Sequence, residues 1–285
     1  MNFDHLLITR FSVRVRIDQT ASADWLRHRL DYFTTVCCPS VNSQSSRDFK
    51  WIVLFDADRE TWFEEEVQRL SQTWLFEPEW VSGAFSQATA ASVAATHSNA
   101  EWLITSRLDN DDAVARDYIA QVQSQFAGQS MEFINFQTGF QLTDSGRLLH
   151  RLDPSSPFIT LIEKRSDQAP KTVYGWPHDE VGQHASLRQV KSHPMWLQMI
   201  HGRNIGNQAK GIRANPRLLT DYFEVDAHVA SISRTALLVD QARTTTSLSW
   251  RVLQKPSRLA WLHKVVWNRL RPSHSQGSNG HPHYS

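Results

Sequence analysis

The sequence predicts an α/β fold in which a mostly parallel central sheet is flanked by helices. Short, continuous apolar runs at residues 5–10, 49–55 and 102–105 have the length and composition of strands buried on both faces. Each of the first two is followed by a segment whose apolar residues recur at helical spacing, and strand–helix alternation of that kind builds parallel sheets with right-handed crossovers. A chain of 285 residues can form one large α/β domain with an extension, read here as a domain at 1–240, a basic helical extension at 241–271 and a disordered tail at 272–285.

The first strand runs through Leu6, Leu7 and Ile8 to Thr9 and Arg10. A hydroxyl residue and an arginine at the carboxyl end of a strand stand where open α/β sheets bind ligands, so Thr9 and Arg10 are candidate ligand contacts. Residues 24–36 place Trp25, Leu26, Arg29, Leu30 and Phe33 at helical spacing, capped by Ser22 or Asp24 and closed near Pro39. The second strand ends in Asp56-Ala57-Asp58. Asp56 is read as a hydrogen-bond acceptor for a base or ribose, and Asp58 suits a helix cap. A polar helix follows with Phe63, Val67 and Leu70 on its inner face. Residues 74–81, interrupted by Pro78, hold a shorter third strand, and the alanine-rich residues 86–99 form a helix that packs close to the sheet.

The fourth strand ends in Arg107, Asp109, Asn110, Asp111 and Asp112. If the extended conformation persists, Asp109 and Asp111 point the same way, and Asp112 opens a helix through Val114 and Ile119. Two carboxylates about 4 Å apart repel by roughly 4 kcal/mol at an effective dielectric of about 20, a cost that a hard divalent cation removes. The same residues are also good turn and N-cap chemistry. Arg107 favours the cation reading, because arginine takes phosphate oxygens bidentately while a metal takes the others. Beyond this cluster, residues 113–126 read as helix, 131–136 as strand, and 139–142 with 147–152 as a hairpin around Thr143-Asp144-Ser145-Gly146. Residues 157–163 and 172–174 read as short strands. Residues 176–180 form a polar loop holding Asp179 and Glu180, and the apolar run 196–200 leads into His201-Gly202-Arg203-Asn204.

The two cysteines, Cys37 and Cys38, are neighbours that cannot bridge each other in ordinary geometry, which suits a reducing, cytoplasmic setting. The N-terminus lacks the pattern of a secretory signal, and no apolar stretch is long enough to span a bilayer. The net charge is +1, but after Asp240 there is no acid at all, while Arg243, Arg251, Lys255, Arg258, Lys264, Arg269 and Arg271 are basic. The preceding chain is therefore acidic on balance, which argues against a general nucleic-acid binder. Residues 257–271 place Trp261, Val265 and Leu262 toward one side of a helix and basic residues toward the other. Such a helix either packs on the rest of the chain or lies on the inner face of an anionic membrane.

With these segments in place, the chain resembles the rhamnosyltransferase family of bacteria, a GT-A-like group of glycosyltransferases. The matching stretches are residues 5–11, Cys38-Pro39-Ser40 with Gln44, FKWIVLFD, TSRLDNDDAV, INFQTG, PFITLIE and WLQMIHGRNIGN, covering most of the chain up to about Asn207. The resemblance implies a GT-A-like nucleotide-diphospho-sugar transferase fold and a nucleotide-sugar donor, with rhamnose as a candidate sugar. It also implies a glycan or lipid-linked acceptor. It assigns Asp109 and Asp111 to a divalent metal, Mn or Mg, that bridges the donor diphosphate, with His201 completing the coordination and His193 as the alternative. Thr9, Arg10, Asp56, Arg107 and Asp109 are then the donor-binding set. An inverting transfer needs a carboxylate base, and Asp179 stands at about the right place, with Glu163 and Glu180 behind it. Two other functions use many of the same residues: a metal-dependent phosphoesterase, and a sugar-nucleotide or glycan-binding protein without catalysis.

Overall fold

The apolar run that begins the chain becomes β1 (Phe3–Arg10), buried along nearly its whole length. The computed structural model describes residues 2–14, 20–202 and 209–253. After β1 the chain forms α1 (Ala23–Tyr32), which passes through a wider turn at Phe33–Cys37 into α2 (Cys38–Asn42). Next come β2 (Lys50–Asp56), α3 (Thr61–Ser71), β3 (Glu77–Val81), α4 (Gln87–His97) and β4 (Trp102–Asp109). The second half contains β5 (Ala113–Val114), α5 (Tyr118–Gln123), β6 (Met131–Phe136), β7 (Thr138–Thr143), β8 (Leu148–Leu152) and β9 (Thr160–Lys164). It closes with β10 (Ser186–Val190), β11 (Trp196–Ile200), β12 (Ile212–Arg213) and α6 (Arg217–Tyr222).

A seven-stranded sheet has the order β10-β6-β9-β4-β1-β2-β3, and a five-stranded sheet the order β12-β8-β7-β11-β5. In the larger sheet β1, β2, β3 and β4 are all parallel, and β9 runs antiparallel between β4 and β6. This is the mixed, mostly parallel α/β sheet flanked by helices that the strand–helix alternation predicts. The period of two along β1 divides its side chains between two cores. Phe3 and Leu7 join Phe33, Trp51 and Phe55 on one face, while Leu6 and Ile8 join Ile52, Leu54 and Leu103 on the other. Pro78 is tolerated because β3 is an edge strand. Ser86 and Thr89 form a reciprocal cap on α4, and the small, fully buried Ala90 and Ala94 let that helix lie close to its neighbours.

Three local readings change. The helix predicted over 24–36 does not end before Pro39: the chain stays helical through the wider turn at Phe33–Cys37, and the proline follows that turn, at the start of α2. Residues 113–126 are not one helix, because Ala113 and Val114 pair with Leu197 and Trp196, and α5 starts only at Tyr118. Residues 172–174 form no strand; Thr172 has φ 59°, a left-handed conformation that breaks an extended run. The predicted hairpin is present as β7–β8, with Gly146 at φ 73° and its N–H donating to the Thr143 carbonyl at 2.8 Å.

The chain forms two compact units, Met1–Ser233 and Arg234–Ser285. The second unit begins with α7 (Arg234–Leu253). The amphipathic segment 257–271, the tail 272–285 and the Arg203-Asn204 pair lie outside the described residues.

Candidate active site

The larger sheet reverses its strand order between β1 and β4, and a crevice at the carboxyl ends of such strands is where open α/β sheets bind ligands. Register puts Arg10 directly beside Asp109, and Ile8 beside Arg107, so Arg10, Arg107 and Asp109 share one face. A cavity of about 600 Å³ opens there, with Arg10, Arg29, Arg107 and Arg151 and with Asp109, Asp111, Asp112 and Asp153 in its wall.

Arg107 grips Asp109, its Nη2 donating to Oδ2 at 2.9 Å and to Oδ1 at 3.2 Å. Burial would push the Asp109 carboxyl up, but the Arg107 guanidinium, helped by Arg10 and Arg29, holds it below its ordinary range. Arg10 makes no ion pair among the described residues; its guanidinium lies 5.1 Å from the Tyr174 ring centroid and 5.5 Å from that of Phe85, and its buried Nε has no partner. Burial lifts the Tyr174 phenol to about 12, and its hydroxyl donates to the Ile8 carbonyl at 3.1 Å. Arg10 is therefore a cation held by aromatic faces, with donor capacity left for an anion.

Asp109 and Asp111 line the same cavity but take different partners, because the extended chain does not persist between them. The strand ends at Asp109 and the chain turns, with the Asp112 N–H donating to the Asp109 carbonyl at 3.2 Å. Asp111 instead faces helix α1 and strand β11. Its Oδ2 pairs with Arg29 and lies 2.9 Å from His201 Nε2. The short β5–β11 pairing brings these distant residues together: Leu197 opposite Ala113 places the end of β11 beside the acid cluster. Asp112 starts no helix; its Oδ1 accepts from the Met199 N–H at 2.9 Å, and burial, with Asp111 and Asp109 nearby, raises its carboxyl well above the usual range. The Tyr32 ring stacks on His201 at 4.6 Å, and the Tyr32 hydroxyl donates to Asp144 at 3.1 Å.

Whether Asp111 and His201 suit a metal can be judged from their separation. Neighbouring ligands around an octahedral cation with bonds of about 2.1 Å stand roughly 3 Å apart. The 2.9 Å between Asp111 Oδ2 and His201 Nε2 meets that requirement. Among the described residues no three His, Cys, Asp or Glu side chains gather closely enough to enclose a metal alone. These two would hold one only as part of a shell completed by ligand oxygens and water. His193 is elsewhere, stacked on Tyr222 at 4.6 Å and 3.0 Å from Asp117.

The other candidates divide. Thr9 lies on the opposite face of β1 from Arg10, fully buried, its hydroxyl accepting from Trp51 Nε1 at 3.0 Å, so the one-residue offset removes it from the cavity. The Asp56 carboxylate is taken by Arg14 Nε at 2.6 Å and by the Asp58 N–H at 3.0 Å, and it lines a separate cavity of about 230 Å³ with Ser12 and Phe63. Glu163 pairs with Leu103 at the amino end of β4, six residues or roughly 20 Å from Asp109 at about 3.3 Å per residue. There it accepts the Lys171 and Thr172 N–H groups, both at 2.9 Å, so it closes a turn far from the crevice. Asp179 and Glu180 are exposed, next to His178, which does line the cavity. Burial, then Arg107, lowers the His178 pKa and favours the neutral ring.

Sequence reasoning missed Arg29, Arg151, Asp153 and His178 as cavity residues. Only Arg29 carried a readable signal, as a charged residue between Leu26 and Leu30 on the inner side of α1. Arg151 and Asp153 form an ion pair at the end of β8, and Asp153 Oδ1 accepts the Ser155 N–H at 3.0 Å.

A family model described as "Putative rhamnosyl transferase" matches residues 5–213. No curated protein matches the chain. Among solved structures, the chain is similar to S. aureus TarS 1-349 in complex with UDP-GlcNAc, at 11% identity over 72% of this chain and 60% of that one, with a TM-score of 0.44. GalNAc-T7 with UDP, GalNAc and Mn2+ is similar at 10% identity over 76% of this chain and 47% of that one, with a TM-score of 0.41. HddC from Yersinia pseudotuberculosis is similar at 9% identity over 67% and 91% of the two chains, with a TM-score of 0.36. The matched region thus spans about 60% of the length of the TarS fragment.

Proposed function

The chain belongs to the family described as "Putative rhamnosyl transferase", and on that premise we propose that it moves a sugar, rhamnose in the family's own terms, from a nucleotide-sugar donor to an acceptor hydroxyl. The observation that carries this reading is the meeting of two arginines and two metal-ligand types at one strand-end crevice: Arg10 and Arg107 around Asp109, and Asp111 with His201. A diphosphate leaving group gains negative charge as the sugar departs, and positioned guanidinium donors stabilise that charge where it develops. Arg10 supplies the unpaired donor for it, and Arg107 orients Asp109 toward the same space.

A divalent Mn or Mg ion held by Asp111 and His201 would supply further neutralisation of the diphosphate. His178, neutral in the cavity wall, can pass or accept a hydrogen bond without adding charge. For the base we propose Asp179, the exposed chain neighbour of the cavity-lining His178; Asp153 in the wall is the competing carboxylate. Glu163 is set aside because it stands at the opposite end of β4. The acceptor is proposed to be a glycan or a lipid-linked glycan, reached from the cytoplasmic side of a membrane through residues 257–271. No helix among the described residues is long and apolar enough to cross a membrane.

Calorimetry with a panel of nucleoside diphosphates, with and without Mn2+, followed by hydrolysis of the matching nucleotide sugars, tests the function. Binding with hydrolysis supports transfer, binding alone supports a non-catalytic sugar-nucleotide protein, and release of phosphate from simple esters supports a phosphoesterase.

A further inference from the structure

Arg29 stands on the same oxygen that a metal would use. It reaches the crevice from α1, and its Nη1 pairs with Asp111 Oδ2 and donates to Asn110 Oδ1 at 3.1 Å. Its guanidinium lies 5.2 Å from the centroid of the Trp25 ring, on the same helix, and both side chains line the cavity. Its buried Nε has no partner. This cation therefore has one strong partner, Asp111, and an unused donor beside a space suited to an anion.

A cation entering between Asp111 and His201 must displace Arg29 from Oδ2 and then face a guanidinium a few ångströms away. Both effects oppose metal binding in the absence of an anion. A diphosphate reverses the balance, because it offers Arg29 a new acceptor and leaves Asp111 Oδ2 open. We propose that Arg29 is an exchangeable counter-ion: it holds Asp111 until the donor arrives and then passes to the diphosphate, so that metal joins the site efficiently only together with the nucleotide. The inference rests on the reading of Asp111 and His201 as metal ligands, and it adds a positioning role for a residue of the first crossover helix.

The test is binding of Mn2+ alone, read from the spin-resonance signal of free Mn2+, on the full chain and on Arg29→Gln, Arg29→Met and Arg29→Gln/Asp111→Asn. The methionine keeps the aliphatic stem against Trp25, and circular dichroism checks the fold of each variant. The neutral variants are expected to bind Mn2+ at least about tenfold more tightly than the wild type, the equivalent of removing about 1.4 kcal/mol of repulsion. Adding Asp111→Asn should abolish that gain. If the neutral variants bind Mn2+ no better than the wild type while Asp111→Asn still weakens binding, Arg29 is not the competing cation, although Asp111 remains a ligand. If Mn2+ binding is absent throughout or indifferent to Asp111, the metal reading falls and this inference with it.

Discussion

Replacing Asp111 with Asn probes the site and the fold at once, because this carboxylate is enclosed by its partners. Its side chain is 7% exposed, that of Arg29 12% and that of His201 2%. Removing one member of a buried ion pair costs about 3–5 kcal/mol, and the asparagine retains one acceptor oxygen, so a loss of about 3 kcal/mol is expected. In a folded unit of 233 residues, with each kcal/mol worth about 2–4 °C, the melting temperature should fall by roughly 6–12 °C. A strand-end acid outside the core would need no partner, but Asp111 is paired with the largely buried Arg29, so the fold depends on it. Transfer should fall by about 10²-fold or more, as when a group that stabilises transition-state charge is removed. Scanning calorimetry reads the first effect, and donor turnover well below the new melting temperature reads the second. Unchanged turnover would refute a role for Asp111 in charge neutralisation, and an unchanged melting temperature would refute the buried pair.

Asp179→Asn should slow transfer by about 10²–10⁴-fold with donor binding spared, while Glu163→Gln should leave the rate near wild type. Equal loss in Asp153→Asn, with Asp179→Asn active, would move the base into the cavity wall. His5, fully buried with Nε2 2.8 Å from Ser106 Oγ, has its pKa lowered by burial to about 3. A base with a depressed folded pKa contributes stability that is present above its unfolded pKa of about 6.5 and is lost as pH falls toward the folded value, by up to about 1.4 kcal/mol per pH unit. Denaturant titrations of His5→Gln should show a flatter slope between about pH 6.5 and 3, and a slope equal to the wild type's would assign the acid sensitivity elsewhere. Gly139→Ala would place a methyl 2.0 Å from the Trp196 ring, which is fully buried and stacked on Phe158. Chemical denaturation should register at least about 1–3 kcal/mol of destabilisation, and a wild-type midpoint would mean that the indole shifts freely.

The parallel sheet was legible in the sequence because strands buried on both faces must be apolar throughout, and the runs ending at Arg10, Phe55 and Thr105 have no other stable use. Strand ends were legible for the same reason: a charged residue closing such a run must leave the core, which is how Arg10, Arg107 and Asp109 were found. His201 was reached by resemblance rather than by pattern, since a lone histidine after a strand has no local signature. What the sequence could not decide was direction and distance. Thr9 and Arg10 are adjacent in the chain, yet the pleat sends one to the Trp51 core and the other to the crevice. Glu163 and Asp109 lie on neighbouring antiparallel strands, and only the register places them at opposite ends. Asp109 and Asp111 take different partners because a turn follows the strand, and a two-residue pairing of β5 with β11 decides that Asp111 meets His201. Arg29 became a partner of Asp111 only when α1 packed against the sheet. Side-chain period and composition are local properties that a sequence carries; pairings across tens of residues depend on register and helix packing, which only the folded chain determines.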